Sequence, residues 1–226
     1  MRGHFITFEG GEGSGKSTHA ATLAQRLKSL GIEVVLTREP GGSAGAEIIR
    51  HILLSGVAKP LGAETETILF AAARDDHVRH TILPALEAGK WVICDRFIDS
   101  TRVYQGALGR VDPRLIRSLE RVTVGPARPE LTFILDVPAT VGLARAKTRR
   151  GSGKADRFES EGIKFHEALR QAYRDLAAKE PKRCIVVDGR PPRDVVAERI
   201  WVAVEQRLHP QMQSVQAKGV QAEVAP

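Results

Sequence analysis

Phe8-Glu9-Gly10-Gly11-Glu12-Gly13-Ser14-Gly15-Lys16-Ser17-Thr18 is the stretch from which the rest of the chain can be read. Just upstream, His4–Phe8 is a short apolar run, a strand signal. Downstream, Ala20, Leu23, Ala24, Leu27 and Leu30 recur at helical spacing until Gly31 stops the pattern. Between strand and helix, Gly10–Ser17 fills every position of G-x-x-x-x-G-K-[ST], in the context that gives this motif its meaning. Its glycines let successive backbone N–H groups converge on phosphate oxygens. The helix N-terminus adds a favourable partial positive charge. Lys16 then reaches β- and γ-phosphates, and the Ser17 hydroxyl takes Mg²⁺. Gly10, Gly11, Glu12, Gly13, Ser14, Gly15, Lys16, Ser17 and Thr18 are therefore the candidate residues for a nucleoside triphosphate. The plain alternative is a glycine-rich turn, which the full match in this context disfavours.

Working outward, strands are predicted at Glu33–Thr37, Trp91–Cys94, Leu131–Leu135 and Ile185–Val187. Helical stretches are predicted over Ala44–Ser55 and Ala63–Glu87, closed by Gly56 and Gly89. Pro138 suits the first turn of another helix. Val196, Ile200, Val204 and Leu208 make one face of a last one. Strands alternating with helices imply an α/β fold of the P-loop NTPase kind: a five-stranded parallel sheet with helices on both faces. Ligands in such sheets bind beyond the carboxyl ends of the strands. One domain is expected over residues 1–208, with a small flexible lid at about 145–158. The Gln/Ala/Val-rich segment 209–226 is expected to be a disordered tail.

Composition bounds the function. The chain has 226 residues, 42% hydrophobic and 27% charged, enough for one packed core and too apolar for wholesale disorder. The net charge of +7 favours anionic partners. Aromatic residues are only 5%, poor material for a stacking surface along single-stranded nucleic acid. Cys94 and Cys184 are too few and too far apart for a zinc knuckle or disulfide framework, and read as reduced thiols of a cytoplasmic protein. The N-terminus lacks a signal-peptide apolar region, and no apolar run approaches a membrane span, so no membrane partner is expected.

Three nucleotide-using classes then compete: a small-molecule kinase, a GTPase-type switch and a motor ATPase. An N/T-K-x-D guanine-reading segment is missing. The third strand ends Asp95-Arg96 where a motor ATPase usually ends Asp-Glu. Asp95 suits Mg²⁺ or its water shell, while Arg96 suits a second anion. Arg38 stands at the tip of the second strand, in Thr37-Arg38-Glu39-Pro40-Gly41-Gly42. Either arginine alone reads as a surface salt bridge. Paired beside a phosphate loop, they read as a clamp on a monophosphate. Residues 145–157 hold six basic residues and one acid around Gly151 and Gly153, the pattern of a hinged basic lid, with a solvated helix face or nucleic-acid patch as the alternative. A cation on a moving phosphoryl group is worth about 10³–10⁵ in rate.

Five segments together resemble the thymidylate kinases of bacterial type. They are Phe8–Thr18, Thr37–Gly42, Leu69-Phe70-Ala71-Ala72-Ala73-Arg74, Asp95-Arg96-Phe97 with Ser100 and Tyr104-Gln105-Gly106, and Asp156-Arg157-Phe158-Glu159. The resemblance implies transfer of a phosphoryl group from ATP to dTMP with Mg²⁺, by a homodimer that packs first-half helices across a two-fold axis. It implies that Arg38 and Arg96 hold the dTMP phosphate, Phe70 stacks on thymine, and Arg74 donates to thymine O4. Gln105 and Ser100 or Thr101 would line the base edge. Tyr104 would disfavour a 2′-hydroxyl, and Glu12 would reach the 3′-hydroxyl and the metal, beside Ser17 and Asp95. Arg145 would pack on adenine. Lys16, Arg96 and the lid residues Arg149, Arg150 and Arg157 would be catalytic. Val103 departs from the alanine common in the family. An arginine facing base position 4 accepts a carbonyl and meets a cytosine amino group donor to donor. Two other readings remain open on the residues alone: a kinase for another nucleoside monophosphate, and a nucleotide-dependent nucleic-acid-binding module.

Overall fold

The computed structural model describes residues 2–151, 153 and 157–220, with side chains as far as Leu208. In chain order the elements are β1 (Phe5–Gly10), α1 (Lys16–Ser29), β2 (Val34–Arg38), α2 (Ala44–Ser55), α3 (Gly62–His77), α4 (Leu83–Glu87) and β3 (Trp91–Asp95). Then come α5 (Ile98–Thr101), α6 (Pro113–Thr123), β4 (Leu131–Asp136), α7 (Ala139–Arg150), α8 (Ile163–Lys179), β5 (Cys184–Asp188) and α9 (Arg193–Val220). The five strands form one sheet in the order β2-β3-β1-β4-β5, and every pairing is parallel. All five predicted strands are present, each within a residue or two of its expected bounds.

β1 lies at the centre because it is buried along its whole length, as a strand covered on both faces must be. On one face Ile6, Phe8 and Phe133 pack against Leu23 and Leu27 of α1 and Ile200 and Val204 of α9. On the other, Phe5, Val92 and Cys94 meet Val78, Ile82 and Leu86. A third cluster joins Val103, Tyr104 and Ile134 to Leu169 and Tyr173 of α8. The charged exception in β1 is Glu9, fully buried just before the phosphate loop. Register sets the ends of β2 and β3 side by side, with Arg38 opposite Asp95. Three strand ends thus converge on one crevice.

The helix predicted over 63–87 is divided. A wide, π-type turn at Val78–Ile82 separates α3 from α4. Pro84, in the first turn of α4, has no N–H to give and its ring crowds the carbonyl four residues back, so the regular ladder cannot run through. A second wide turn, Arg102–Leu108, follows α5; such turns often occur at functional sites. α6 and α8 have no predicted counterpart, although Asp112 accepts from Arg114 N at 2.8 Å and Pro113 opens α6, a legible start signal. α9 continues past Leu208 to Val220, into the segment expected to be a disordered tail. Gln, Met, Ala and Lys in that stretch favour a helix, although Pro210 and Gly219 within it do not. Residues 221–226, and 152 and 154–156 of the expected lid, lie outside the described residues.

Candidate active site

A cavity of about 370 Å³ opens at the carboxyl ends of β1, β2 and β3. The loop after β1 contributes Glu12, Gly13 and Gly15, and the start of α1 contributes Lys16, Ser17 and Thr18. Arg38, Glu39 and Pro40 come from the end of β2, and Asp95, Arg96 and Phe97 from the end of β3. Phe70 and Arg74 of α3 face Ser100, Thr101, Tyr104 and Gln105 of α5 and the wide turn after it. Arg149, Phe158 and Glu159 close the lid side. Of the residues predicted from sequence, Gly10, Gly11 and Ser14 shape the loop without lining the cavity, and Arg145, Arg150 and Arg157 lie outside its lining.

The phosphate corner is tightly built. Gly13 has φ +64°, and a Cβ there would sit 1.9 Å from the Gly142 carbonyl oxygen. α7 therefore presses directly on the loop, and neither residue tolerates a side chain. Lys16 Nζ donates to Gly11 O at 2.7 Å. Burial, with Arg96 adding to it, pushes Lys16 down to about 8 against the pull of Glu12, Asp95 and Glu9. The Ser17 hydroxyl bonds Asp95 Oδ2, while Asp95 Oδ1 is buried with no hydrogen-bond partner. Two oxygen donors from facing elements, one with an unused atom, fit a small hard cation such as Mg²⁺.

Arg96 has φ +67°, an uncommon backbone state for a residue with a side chain. Its guanidinium pairs with Glu12 and lies 5.3 Å from the Tyr104 ring centroid. Tyr104 donates to Glu12 Oε1 at 3.3 Å. Burial alone would raise the Glu12 carboxyl, but Arg96 and Lys16 outweigh it and hold it at about 2. Arg38 is half exposed and donates to Glu47 at 2.9 Å. The Glu39–Pro40 bond is cis.

Arg74 is almost wholly buried. Its Nε donates to Glu39 Oε2 at 2.8 Å and its Nη2 to Thr101 Oγ1 at 3.0 Å. Glu39 Oε1 faces His77 Nδ1 at 3.1 Å, and His77 Nε2 faces Thr37 Oγ1 at 2.7 Å. This chain fixes the arginine before any ligand arrives. Phe70 and Phe158 have ring centroids 6.4 Å apart, and Tyr104 lies 5.2 Å from Phe158. Gln105 is buried along the same wall.

The arginines of the segment expected to be a lid are engaged with acids. Arg149 and Arg150 donate to Glu159 at 3.2 and 2.6 Å, and Arg157 pairs with Glu66 of α3. Arg145 donates to Gly189 O at 2.9 Å, at the end of β5. Glu9 and Phe158 stand inside motifs that carry the resemblance but draw no role from it, and Gly142 and Tyr173 stand in none of those motifs. An acid inside an apolar strand was a visible signal for Glu9. Nothing local marks Gly142 or Tyr173, whose roles come from packing between distant elements.

Residues 8–200 match the family model described as thymidylate kinase. The chain belongs to the thymidylate kinase family. It is 61% identical over 207 residues to a thymidylate kinase of Bradyrhizobium sp. (strain ORS 278), covering 92% of each chain. It is 62% identical to one from Afipia carboxidovorans, covering 92% of this chain and 91% of that one. A crystal structure of thymidylate kinase from Ehrlichia chaffeensis superposes with a TM-score of 0.73 at 34% identity, over 91% of this chain and 99% of that one. Members of the family are phosphotransferases, and the P-loop nucleotide-kinase fold expected from the sequence is the fold observed.

Proposed function

We propose that the chain transfers the γ-phosphoryl group of ATP to dTMP, giving ADP and dTDP, and so supplies the step before dTTP. The observation that carries this reading is one cavity with a triphosphate loop at one end and Arg74, fixed by Glu39 and Thr101, at the other. The acceptor's phosphate oxygen attacks the γ-phosphorus in line, the bond to the ADP oxygen breaks, and no covalent enzyme intermediate forms. Positioning and charge neutralisation carry the rate. Arg96 and Arg38 grip the acceptor phosphate. Lys16 and the loop N–H groups hold the donor. Glu12 leaves Arg96 as the phosphate arrives and turns to the 3′-hydroxyl. Ser17 and Asp95, with Glu12 near, would hold Mg²⁺, which when bound spreads the charge of the phosphates. Arg149, nearest the cavity among the lid cations, meets the moving phosphoryl group, with Arg150 and Arg157 behind it. Arg145 flanks adenine.

Phe70 stacks on the base, Arg74 donates to O4, Gln105 with Ser100 and Thr101 lines its edge, and Tyr104 crowds the 2′ position. A site built around one polar edge rejects the wrong partner by about 10⁴–10⁵, whereas a missing methyl costs only about 1–3 kcal/mol. An ADP-release assay across dTMP, dUMP, dCMP and AMP tests the assignment. dTMP should lead, dUMP should follow, and dCMP and AMP should barely react; AMP or dCMP as best acceptor would reassign the substrate.

The active form is a homodimer. Ile48, Ile68 and Val122 stand 67%, 48% and 68% exposed on α2, α3 and α6, and α3 packs on both of the other two. Such a patch suits a second copy better than water. Small anions, rather than nucleic acid or a membrane, are the partners. Among the described residues no helix is long and apolar enough to cross a bilayer. The buried free thiols Cys94 and Cys184 suit the reducing cytoplasm.

A further inference from the structure

Arg96 sits on a backbone turn that must be held in place from behind. Its own N–H donates to Phe8 O at 2.8 Å, and its carbonyl accepts from Cys94 Sγ at 3.0 Å. The next N–H, that of Phe97, donates to Glu9 Oε1 at 2.7 Å, and Ser100 N adds a longer bond of 3.3 Å to the same oxygen. One oxygen of a fully buried carboxylate therefore ties down the left-handed turn.

The other oxygen sets hydrogen-bond direction. Glu9 Oε2 accepts from the Ser100 hydroxyl at 2.7 Å and from the Tyr173 hydroxyl at 3.0 Å. Each hydroxyl has one proton, and here both are spent on Glu9. Their lone pairs remain for Arg96, whose Nη1 lies 3.4 Å from each. The order is Arg96 N–H to hydroxyl oxygen, then hydroxyl proton to carboxylate. Glu9 comes from β1, Ser100 from α5 and Tyr173 from α8, so three elements meet at one guanidinium. Were Glu9 to lose an acceptor, one hydroxyl proton would have to turn toward Arg96, donor against donor, or toward the other hydroxyl oxygen 3.0 Å away, where it would compete with Arg96 for that oxygen's lone pairs.

From this arrangement we infer that Glu9 is a positioning residue: through the Ser100 and Tyr173 hydroxyls and the Phe97 N–H it aims the Arg96 guanidinium at the acceptor phosphate. It touches no substrate itself. The inference rests on Arg96 being a phosphate-gripping residue, as proposed above.

The test is steady-state kinetics, at about pH 8.5 so that Glu9 is ionised, of Glu9→Gln, Tyr173→Phe and Arg96→Ala, with the double variant Glu9→Gln/Arg96→Ala. Glutamine keeps the shape and one acceptor oxygen, but offers an NH₂ where Oε2 received two hydroxyl protons. The expected result is a KM for dTMP raised about tenfold in Glu9→Gln, with the KM for ATP within twofold of the parent. Tyr173→Phe, which leaves Glu9 in place, should raise the dTMP KM about threefold. In the Arg96→Ala background, Glu9→Gln should add almost nothing, because two residues that act as one unit are not additive. A fall in kcat with both KM values unchanged would mark a merely structural acid and overturn the inference, as would full additivity with Arg96→Ala. If Glu9→Gln does not fold, Tyr173→Phe decides, and an unchanged dTMP KM there refutes the relay. If Arg96→Ala itself keeps normal turnover, the phosphate clamp is wrong, a separate result from failure of the relay alone.

Discussion

Arginines serve both the end of β3 and the lid, and the two places treat them in opposite ways. At β3, Arg96 is carried on a turn fixed by Glu9 and enclosed by Tyr104, Tyr173 and Glu12. In the lid, Arg149 and Arg150 are turned to Glu159 and Arg157 to Glu66. A side chain aimed before the ligand arrives loses little freedom on binding it. Both kinds exchange an acid for a phosphate, Glu12 at β3 and Glu159 or Glu66 further on, but Arg96 keeps its Ser100, Tyr173 and Tyr104 contacts while doing so. In the proposed function the first kind defines where the acceptor sits and the second waits until the triphosphate is in place, so binding specificity and the timing of transfer fall to different arginines.

Replacing Arg96 is the harshest way to break this contrast. Arg96→Ala should lower kcat/KM for dTMP by about 10³-fold or more, while circular dichroism and thermal unfolding show the fold retained. Next comes Arg149, the lid cation on the cavity wall. Arg149→Ala should lower kcat by about 10²-fold and leave the dTMP KM near its parent value, a split visible in steady-state kinetics. Arg150→Ala, one residue along but off the wall, should cost less than about tenfold. Equal losses at 149 and 150 would erase the distinction between a cation in contact and one behind it.

These differences also mark what a sequence can reveal. The phosphate loop was legible because Gly10–Ser17 is local: motif, strand and helix stand within twenty-five residues. Arg38, Asp95 and Arg96 were legible because a parallel sheet brings strand ends together by rule, and the register of β2 with β3 does so. The relay behind Arg96 was hidden because Glu9 and Tyr173 are 164 positions apart. No spacing rule joins β1 to α8. The lid was legible as a basic, glycine-containing segment, but which side chains face inward depends on acids at 66 and 159 that composition cannot pair. Pro84 was in plain view, yet helical periodicity on both sides of it masked the wide turn at Val78–Ile82.

A milder probe sharpens the comparison at the base end. Arg74 is held by Glu39, and Glu39 by His77, so the residue proposed to read the base is as firmly placed as Arg96. Arg74→Lys keeps the charge but loses the fork that spans Glu39 and Thr101. Discrimination between dTMP and dCMP, measured as a ratio of kcat/KM values, should fall by about tenfold to a hundredfold. An unchanged ratio would mean that another group reads position 4.

The smallest effect concerns stability, and it follows from the acid that steadies β3. Burial, with the nearby charge of Asp99 adding to it, raises the Glu9 carboxyl to about 7; Ser100, Arg96 and the Phe97 N–H only partly offset this. In the unfolded chain the same group loses its proton near the ordinary glutamate value of about 4.3. Between those two pH values the folded state binds the extra proton, so unfolding free energy must fall as pH rises through the interval. The fall attributable to this one group is on the order of 3 kcal/mol. Glu9→Gln cannot titrate, so its unfolding free energy, measured by urea denaturation at intervals from pH 4.5 to 7.5, should decline less steeply than the parent's. A Glu9→Gln slope equal to the parent's would place the titrating group elsewhere and separate the acid's mechanical role behind Arg96 from any electrostatic cost of burying it.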